Sequence, residues 1–299
     1  MTFRAVTLPL LALSTVLVLV SIALFIYPGP KFSIEFTGGT LIEVQPSTGK
    51  TRDDVLQSLH AYETSSKKSL GNVSVTAIKT ANEQAFVLRL PTITNEEHLA
   101  LLASMEKTLG KLKELHYNTI GPSLSASLKT KSLEAIAIAS IAIILYLAIA
   151  FRKLPRKLNP WKFGMLAVLG FIHDVCVTTG VFIILGWFTT FEFDTLFVTA
   201  LLTILAYSAN DTIVIFDRIR ANMSFDNRSE DLSTVVARGL RQCVTRTFST
   251  AVAALIMLLS LFFLGSESIR WFILALIFGT VIGAYSSYFI AASLLAYWK

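Results

Sequence analysis

The chain is poor in charged residues, in cysteine and in histidine, and each shortage excludes a class of protein. Only 15% of its 299 residues are charged, whereas 54% are hydrophobic and the mean hydropathy is +0.63. A soluble globular domain does not have this composition. The two cysteines, Cys176 and Cys243, fall in different environments and predict packing residues rather than a disulfide framework. Only His173 of the four histidines lies in an apolar segment, so a metal site inside the membrane is not expected.

The chain contains instead several long apolar runs. A helix needs roughly 20 residues to cross a bilayer, and six segments reach that length: 5–27, 133–151, 163–188, 193–216, 244–264 and 271–298. The first resembles a signal peptide in position. Its apolar run is longer than a typical signal core, however, and Tyr-Pro-Gly-Pro follows it in place of a small-residue cleavage site, so we interpret it as an uncleaved anchor. These runs predict a polytopic α-helical membrane protein with six transmembrane helices.

Basic residues predict the orientation of the six helices. The segments after the second and fourth helices are rich in lysine and arginine, whereas those after the third and fifth hold Glu192 and Glu267 with only Arg270 as a basic residue. Cytoplasmic loops carry the excess of basic residues, so both termini are predicted to be cytoplasmic. The net charge of +6 is then accounted for by membrane edges and anionic lipid, and nucleic-acid binding is not expected.

About a hundred residues separate the first helix from the second, and the predicted orientation places them outside the cytoplasm. Their apolar pattern predicts strands at 32–45, 73–79, 85–90 and 112–118 and helices at 51–68 and 94–109. This βαββαβ order is that of a ferredoxin-like fold. The predicted divisions are therefore the first transmembrane helix (1–29), an extracytoplasmic ferredoxin-like head (30–128), and transmembrane helices two to six (129–299). The last division includes a cytoplasmic amphipathic helix near 224–241, which leads into the fifth transmembrane helix.

Local motifs in the head predict structure rather than catalysis. Thr94 and Glu97 form a capping box at the start of the second helix. The double glycine Gly38-Gly39 interrupts a strand-like run, and we interpret it as a bulge that kinks the first strand. The head histidines have no ligand spacing and are interpreted as solvated surface residues; they are His60, His98 and His116.

Two acidic positions inside the apolar runs are candidates for function. Asp211 lies near the inner end of the fourth run, with the polar residues Tyr207, Ser208 and Asn210 within one helical turn. Ionisable residues inside membrane helices usually mark an ion or proton path, because an ionised carboxylate is costly in hydrocarbon.

Asp174 follows His173 near the middle of the third run and is the second candidate relay carboxylate. Adjacent residues point about 100° apart on a helix, so both cannot face one partner. Thr178 is the local hydrogen-bond partner expected for Asp174. The alternative is that hydroxyls and amides of neighbouring helices hold both residues as a structural contact. Asp217, beside Arg218, is interpreted as part of an interfacial ion pair.

The sixth run carries a stripe of small residues at four-residue spacing. Small residues allow close approach of helices in lipid, and the stripe predicts packing either within the chain or against a partner. A bulky substitution such as Gly283→Leu is expected to lower assembly without affecting proton chemistry. The stripe consists of Gly279, Gly283, Ser287 and Ala291.

Four motifs in one order resemble the SecF family, the smaller half of the SecDF auxiliary complex of Sec protein export, within the resistance-nodulation-division superfamily. They are Phe36-Thr-Gly-Gly-Thr40, Ile120-Gly-Pro-Ser-Leu124, His173-Asp-Val175 and Tyr207-Ser-Ala-Asn-Asp211 with the residues that follow it. The resemblance covers essentially the whole chain. It implies a bacterial inner-membrane protein, not an enzyme, that uses the proton-motive force, or a sodium gradient in its place, to complete preprotein translocation. No bound cofactor is implied.

The resemblance also implies partners and a relay. SecD is the implied partner, together with the SecYEG channel, the translocating preprotein and, as further candidates, YajC and YidC. Asp211 and Arg246 match the family positions for proton conduction. Arg246 lies roughly 7 Å beyond Arg241 and Asp211 roughly 10 Å before Arg218 along their helices, so the two depths agree. They form either a switchable pair or a static one, or Arg246 extends to the interface. The alternative function is one half of a proton-coupled exporter of small molecules or lipids.

Overall fold

The computed structural model describes residues 3–47, 49–66, 69–71, 73–80, 83–151, 160–225 and 230–297. The chain divides into two compact units: a head unit, Phe32–Lys131, and a membrane unit formed by Met1–Lys31 with Ser132–Lys299. In chain order the elements are α1 (Phe3–Ile26), α2 (Ile34–Thr37), β1 (Gly39–Pro46), α3 (Arg52–Ser66), β2 (Ser74–Thr80), β3 (Glu83–Leu90), α4 (Asn95–Leu109), β4 (Leu112–Ile120), α5 (Pro122–Ala150), α6 (Pro160–Phe188), α7 (Thr195–Phe225), α8 (Leu232–Leu264), a 3-10 turn (Glu267–Ile269), α9 (Arg270–Ser286), a π turn (Ser287–Ala291) and α10 (Ala292–Tyr297).

The head unit has a four-stranded antiparallel sheet in the order β2-β3-β1-β4. Helices α3 and α4 connect the strands in a βαββαβ sequence, so the topology is the ferredoxin-like one that the apolar pattern predicts. Ile42 and Val44 on the central strand β1 are fully buried, together with Leu101 and Met105 of α4. Apolar residues alternate along β1 because successive side chains of a strand point to opposite faces.

Helix α4 of the head begins and ends where the local sequence predicts. The Thr94 hydroxyl accepts a hydrogen bond from the Glu97 backbone N–H, and the Glu97 carboxylate accepts one from the Thr94 backbone N–H. This reciprocal capping box satisfies two N–H groups that the first turn of a helix leaves free. Gly110 ends α4 at a positive φ of 83°.

The double glycine has a role different from the bulge that we predicted. The strand does not run from 32 to 45, because Ile34–Thr37 form one helical turn, and β1 begins only at Gly39. Gly38 ends that turn with a φ of 72° and Gly39 has a φ of 116°. A Cβ on Gly39 would lie 2.7 Å from the Leu90 carbonyl oxygen of the neighbouring strand. The pair therefore joins a helical turn to a strand, and the irregularity of β1 falls at Glu43 and Val44 instead.

The interpretation of the head histidines as surface residues is wrong for His98. His60 and His116 are exposed, but His98 is buried between α4 and β4. Its Nε2 lies 2.9 Å from Glu114 Oε1, and its ring stacks on Tyr117 with centroids 3.8 Å apart. His98 is buried because its position on α4 faces the sheet. Which side of α4 faces the sheet depends on the tertiary packing.

The membrane unit contains six helices long and apolar enough to cross a bilayer, in agreement with the prediction. The fourth and fifth are longer than predicted: α7 continues to Phe225, and α8 begins at Leu232. The predicted amphipathic helix at 224–241 is therefore not a separate element in the described residues, although residues 226–229 of it lie outside them. Val235 and Val236 are fully buried in the core of the unit, so this apolar face packs against protein.

Three of the six helices form the centre of the membrane unit. The most apolar part of each helix is 50% buried in α6 and in α7, and 44% buried in the segment Glu267–Tyr297, which contains α9. The corresponding parts of α1, α5 and α8 are only 11%, 6% and 17% buried. Edge-on and tilted phenylalanine pairs fill the spaces between the central helices, as in the contacts among Phe182, Phe191 and Phe197. The polar residues considered below lie among these central helices.

Helix α1 carries a row of buried hydroxyl groups within its apolar sequence. Thr7, Ser14 and Ser21, spaced by seven residues, are its buried polar side chains. Thr7 hydrogen bonds to the Tyr297 hydroxyl, and Ser14 to the Tyr285 hydroxyl at 2.9 Å. Ser21 packs against Gly180, where an added Cβ would lie 2.3 Å from its Oγ. A seven-residue spacing keeps side chains on one face of a helix, so this row could have been recognised in the sequence.

Candidate functional site

Asp174 lies at the centre of the membrane unit, where three helices meet. It is completely buried. Its Oδ2 accepts hydrogen bonds from Ser208 Oγ of α7 at 2.6 Å and from Ser286 Oγ at the end of α9 at 2.8 Å. Buried carboxylates require such donors because unpaired polar groups are costly in an apolar interior. Asp174 thus joins α6 to both of its central neighbours.

His173 is buried beside Asp174, and the two side chains contact each other. His173 Nδ1 lies 3.1 Å from Asp174 Oδ1, and the imidazole is 6.1 Å from the Tyr285 ring. Both residues therefore lie in the buried interior, although adjacent positions on a helix point about 100° apart. The local partner expected for Asp174 is wrong: Thr178 Oγ1 is buried without a hydrogen bond in the described residues. Hydroxyls of neighbouring helices take its place, as the alternative interpretation proposes.

Asp211 occupies a different environment on α7. Its side chain is only 3% exposed, and its Oδ2 has no hydrogen-bond partner among the described residues. Tyr207 and Tyr288 are close enough for electrostatic interaction with it. An unpartnered carboxylate in an apolar interior is costly when it is ionised. Unlike Asp174, Asp211 is therefore a buried acid whose Oδ2 receives no hydrogen bond from the described residues.

Arg246 does not contact Asp211 in the way that equal depth led us to expect. It is exposed on α8, within electrostatic range of Asp211, but across the described residues no hydrogen bond or ion pair joins the two side chains. Equal depth along two helices does not determine the direction in which each side chain points. Of the polar neighbours expected around Asp211, Ser208 is buried and bonded to Asp174, and Asn210 is exposed. The Tyr207 hydroxyl is buried near Thr250 of α8 and does not bond to Asp211.

A second group of hydroxyls links the turn that carries Asp211 to the π turn. Thr212, the residue after Asp211, hydrogen bonds through Oγ1 to Ser287 Oγ at 2.9 Å. Ser287 Oγ also lies 3.4 Å from the Ser208 carbonyl oxygen. Sequence analysis did not single out Thr212 or Ser286. Serine and threonine inside apolar runs were the available signal, but most such residues bond to their own helix backbone.

The small-residue stripe of the last helix packs within the chain. A Cβ on Gly279 would lie 2.2 Å from Ile204 of α7, and one on Gly283 would lie 3.3 Å from the Ser208 Cβ. Ser287 and Ala291 are buried on the same side. Close approach of α9 to α7 allows the hydroxyl contacts described above, since short side chains reach across only when helix backbones are near.

Two substitutions of Asp174 are expected to differ in their effect on stability. Asp174→Leu leaves the Ser208 hydroxyl and His173 without their acceptor and leaves Ser286 only Gly283 O. Each buried donor left unpaired costs about 1–3 kcal/mol. Asp174→Asn keeps an acceptor oxygen for both serines and presents an amide to His173. We expect a strong loss of folded protein in detergent for Asp174→Leu and little loss for Asp174→Asn, measured by thermal unfolding. Equal stability of the two variants would contradict the role assigned to these hydrogen bonds.

Comparison with known proteins gives a consistent family. Residues 101–299 match the model of the SecD/SecF C-terminal family of protein-export membrane proteins, and residues 23–50 match the SecD/SecF GG motif. The chain is 37% identical to the protein translocase subunit SecF of Thermobaculum terrenum, over 91% of this chain and 85% of that protein. It is 31% identical to SecF of Desulfurispirillum indicum, over 96% of this chain and 88% of that protein.

A solved structure supports the same family. The crystal structure of SecDF from Thermus thermophilus, a translocon-associated membrane protein, superposes with a TM-score of 0.78 at 29% identity. The superposition covers 99% of this chain and 38% of that one, so the present chain spans little more than a third of the solved protein. The double glycine, the buried acids of α6 and α7 and the six apolar helices all lie within the regions that these comparisons match. The chain belongs to the SecD/SecF family of protein-export membrane proteins.

Proposed function

We propose that the chain is a subunit of the Sec protein-export machinery and, together with SecD, uses the proton-motive force to complete the passage of preproteins across the membrane. Family membership supports the role in export. The observation that supports proton coupling is the burial of Asp211 on a central helix without a hydrogen-bond partner in the described residues. The ionised and the protonated forms of such a group differ strongly in free energy, and a proton-driven step requires such a difference.

In this proposal Asp211 carries the proton and Arg246 responds to its charge. Both lie on helices that pack against each other, α7 and α8, and Arg246 is within electrostatic range of Asp211. Loss of the proton leaves a carboxylate that attracts the guanidinium, and binding of a proton releases it. The mutual position of α7 and α8 then depends on the protonation of Asp211. Sodium in place of the proton would act through the same attraction.

The protein is a multi-pass membrane protein, and we assign its location to the bacterial inner membrane. The basic residues after the second and fourth helices support cytoplasmic termini. The head unit then lies outside the cytoplasm, where it meets the emerging preprotein. SecYEG is the proposed channel partner, with YajC and YidC as accessory partners. The exporter of small molecules or lipids receives no support, because the relatives are named as protein translocase subunits.

The proposal is tested with inverted membrane vesicles that contain SecYEG, SecD and this chain. The completion of preprotein translocation is measured with a proton gradient and after its collapse by an ionophore. We expect the gradient to increase completion, and vesicles without this chain to lack the increase. An equal increase in vesicles without the chain would contradict the proposal.

A further inference from the structure

Two adjacent serines at the end of α9 bond to two different helices. Ser286, fully buried, donates from Oγ to Asp174 of α6 at 2.8 Å, with Gly283 O of its own helix at 3.1 Å. Ser287, the first residue of the π turn, bonds through Oγ to Thr212 of α7 at 2.9 Å. Neighbouring residues of a helix point about 100° apart, and these two accordingly reach the helices on either side.

These contacts differ from those that hydroxyl residues usually make in membrane helices. A serine or threonine inside a helix commonly bonds to the carbonyl oxygen four residues earlier, as Thr199, Thr203 and Ser140 do in this chain. Ser287 instead extends to a neighbouring helix, and Ser286 divides its hydrogen bond between Gly283 and Asp174. The π turn Ser287–Ala291 departs from α-helical geometry at this point, and such turns occur frequently at functional sites.

Three hydrogen bonds and two short stretches of helix backbone form a closed ring through three helices. Asp174 bonds to Ser208, whose helical turn on α7 continues to Thr212; Thr212 bonds to Ser287, and Ser286 returns to Asp174. Asp211 lies in the same turn of α7, between Ser208 and Thr212, and does not take part in the ring. A displacement of that turn therefore strains the bonds of Ser208 and Thr212 at once.

We propose that Ser286 and Ser287 are positioning residues that couple Asp211 to Asp174 through the π turn. The proposal rests on the proton-driven function and deepens it. A change of charge at Asp211 moves its turn on α7, Thr212 moves Ser287, and Ser286 alters the donors around Asp174. Neither serine carries a proton in the reaction. Their hydroxyls transmit a shift because both ends of each bond are buried and no water replaces a lost partner.

The charged and titratable groups near the two acids lie on several elements. Asp174 has His173 beside it on α6, and the His173 ring faces Tyr285 of α9. Asp211 has Tyr207 on its own helix, Tyr288 on the π turn and Arg246 on α8 within electrostatic range. The π turn is thus near both acids, through Ser287 and Tyr288 on one side and through the preceding residue Ser286 on the other.

The experiment compares Ser286→Ala, Ser287→Ala and Thr212→Val in vesicles with SecYEG and SecD. Thr212→Val removes the Ser287 bond from the α7 side with a side chain of the same shape. Ser293→Ala is the matched control, because Ser293 of α10 is fully buried and its hydroxyl has no partner in the described residues. The gradient-dependent part of translocation per assembled complex is measured across a series of pH values, and complex yield is measured in parallel.

The three variants are expected to reduce the gradient-dependent part of translocation about fivefold and to shift its pH profile. A fivefold change is about what the loss of one buried hydrogen bond produces in an equilibrium constant. Ser287→Ala with Thr212→Val should give no more than Ser287→Ala alone, because both changes remove the same bond between Thr212 and Ser287. Ser293→Ala should leave the profile as in the wild type.

The inference is overturned if Ser286→Ala, Ser287→Ala and Thr212→Val lower only the yield of the complex and keep the wild-type pH profile, which is the result of static packing. It is likewise overturned if the double variant shows the sum of two independent losses. A wild type without any gradient-dependent part would overturn the proposed function itself, and it is recognised before any variant is compared.

Discussion

Asp211→Asn is expected to abolish the gradient-dependent part of preprotein translocation while the complex with SecD still assembles. Asparagine has nearly the same shape as aspartate and remains neutral, so the buried position on α7 accommodates it. It cannot exchange a proton, and we expect a loss of about a hundredfold, the lower end of what a positioned proton-transfer group contributes. The measurement is completion of translocation into vesicles with and without a proton gradient.

The control for this experiment is Asp217→Asn, two helical turns further along α7. Asp217 is exposed and lies 3.5 Å from Arg220 in a local ion pair, and exposed pairs of this kind contribute about 0–1 kcal/mol. This variant should keep the gradient-dependent part. If Asp211→Asn also keeps it in full with normal assembly, Asp211 has only a structural role and Asp174 becomes the candidate proton carrier.

Gly279→Leu is expected to cause a large loss of stability in the membrane unit. A Cβ at this position would lie 2.2 Å from two carbons of the Ile204 side chain. Ile204 is itself buried among the phenylalanines between α6 and α7 and has little room to move. Overpacking of this kind costs about 3 kcal/mol at its upper end. We expect a marked fall in thermal stability in detergent and in the yield of the complex.

A substitution on the opposite side of the same helix provides the control. Val281 is 52% exposed on α9, so Val281→Trp adds a volume comparable to that of Gly279→Leu on a face with room for it. It should leave both yield and stability close to the wild type. Similar losses from Gly279→Leu and Val281→Trp would show that α9 tolerates no added volume on either face and that the contact with Ile204 is not specific.

The structure changes the meaning of the Gly283→Leu substitution that the sequence suggested. A Cβ at Gly283 would lie 3.7 Å from Asp174 Oδ2 as well as 3.3 Å from Ser208. A leucine there would disturb the hydrogen bond between Ser208 and Asp174. Gly279 therefore separates helix packing from the polar site, and Gly283 does not.

Features that depend on residues close together in the sequence were predictable. Six apolar runs predicted six membrane helices, because crossing a bilayer requires only length and hydropathy. The alternation of apolar residues predicted the order of strands and helices in the head, and Thr94 with Glu97 predicted the start of α4. The double glycine was recognised as unusual, but its role at a helix–strand junction depended on the approach of Leu90 from another strand.

Features of the site that depend on the direction of side chains were only partly predictable. Asp174, Asp211 and the stripe Gly279–Ser287 were recognised as polar or small residues in apolar helices. The hydrogen bond that joins Asp174 to Ser286 connects residues 112 positions apart, and depth along a helix did not reveal that Arg246 is exposed.

The sequence alone determined that this chain has six helices long and apolar enough to cross a membrane and a βαββαβ head, because hydropathy, strand alternation and helix capping act over a few residues. Only the tertiary structure decided which polar side chains meet: Asp174 with Ser208 and Ser286, Thr212 with Ser287, and His98 with Glu114. In lipid, apolar surface does not select one helix neighbour over another, so close packing of small residues and specific hydrogen bonds make that selection.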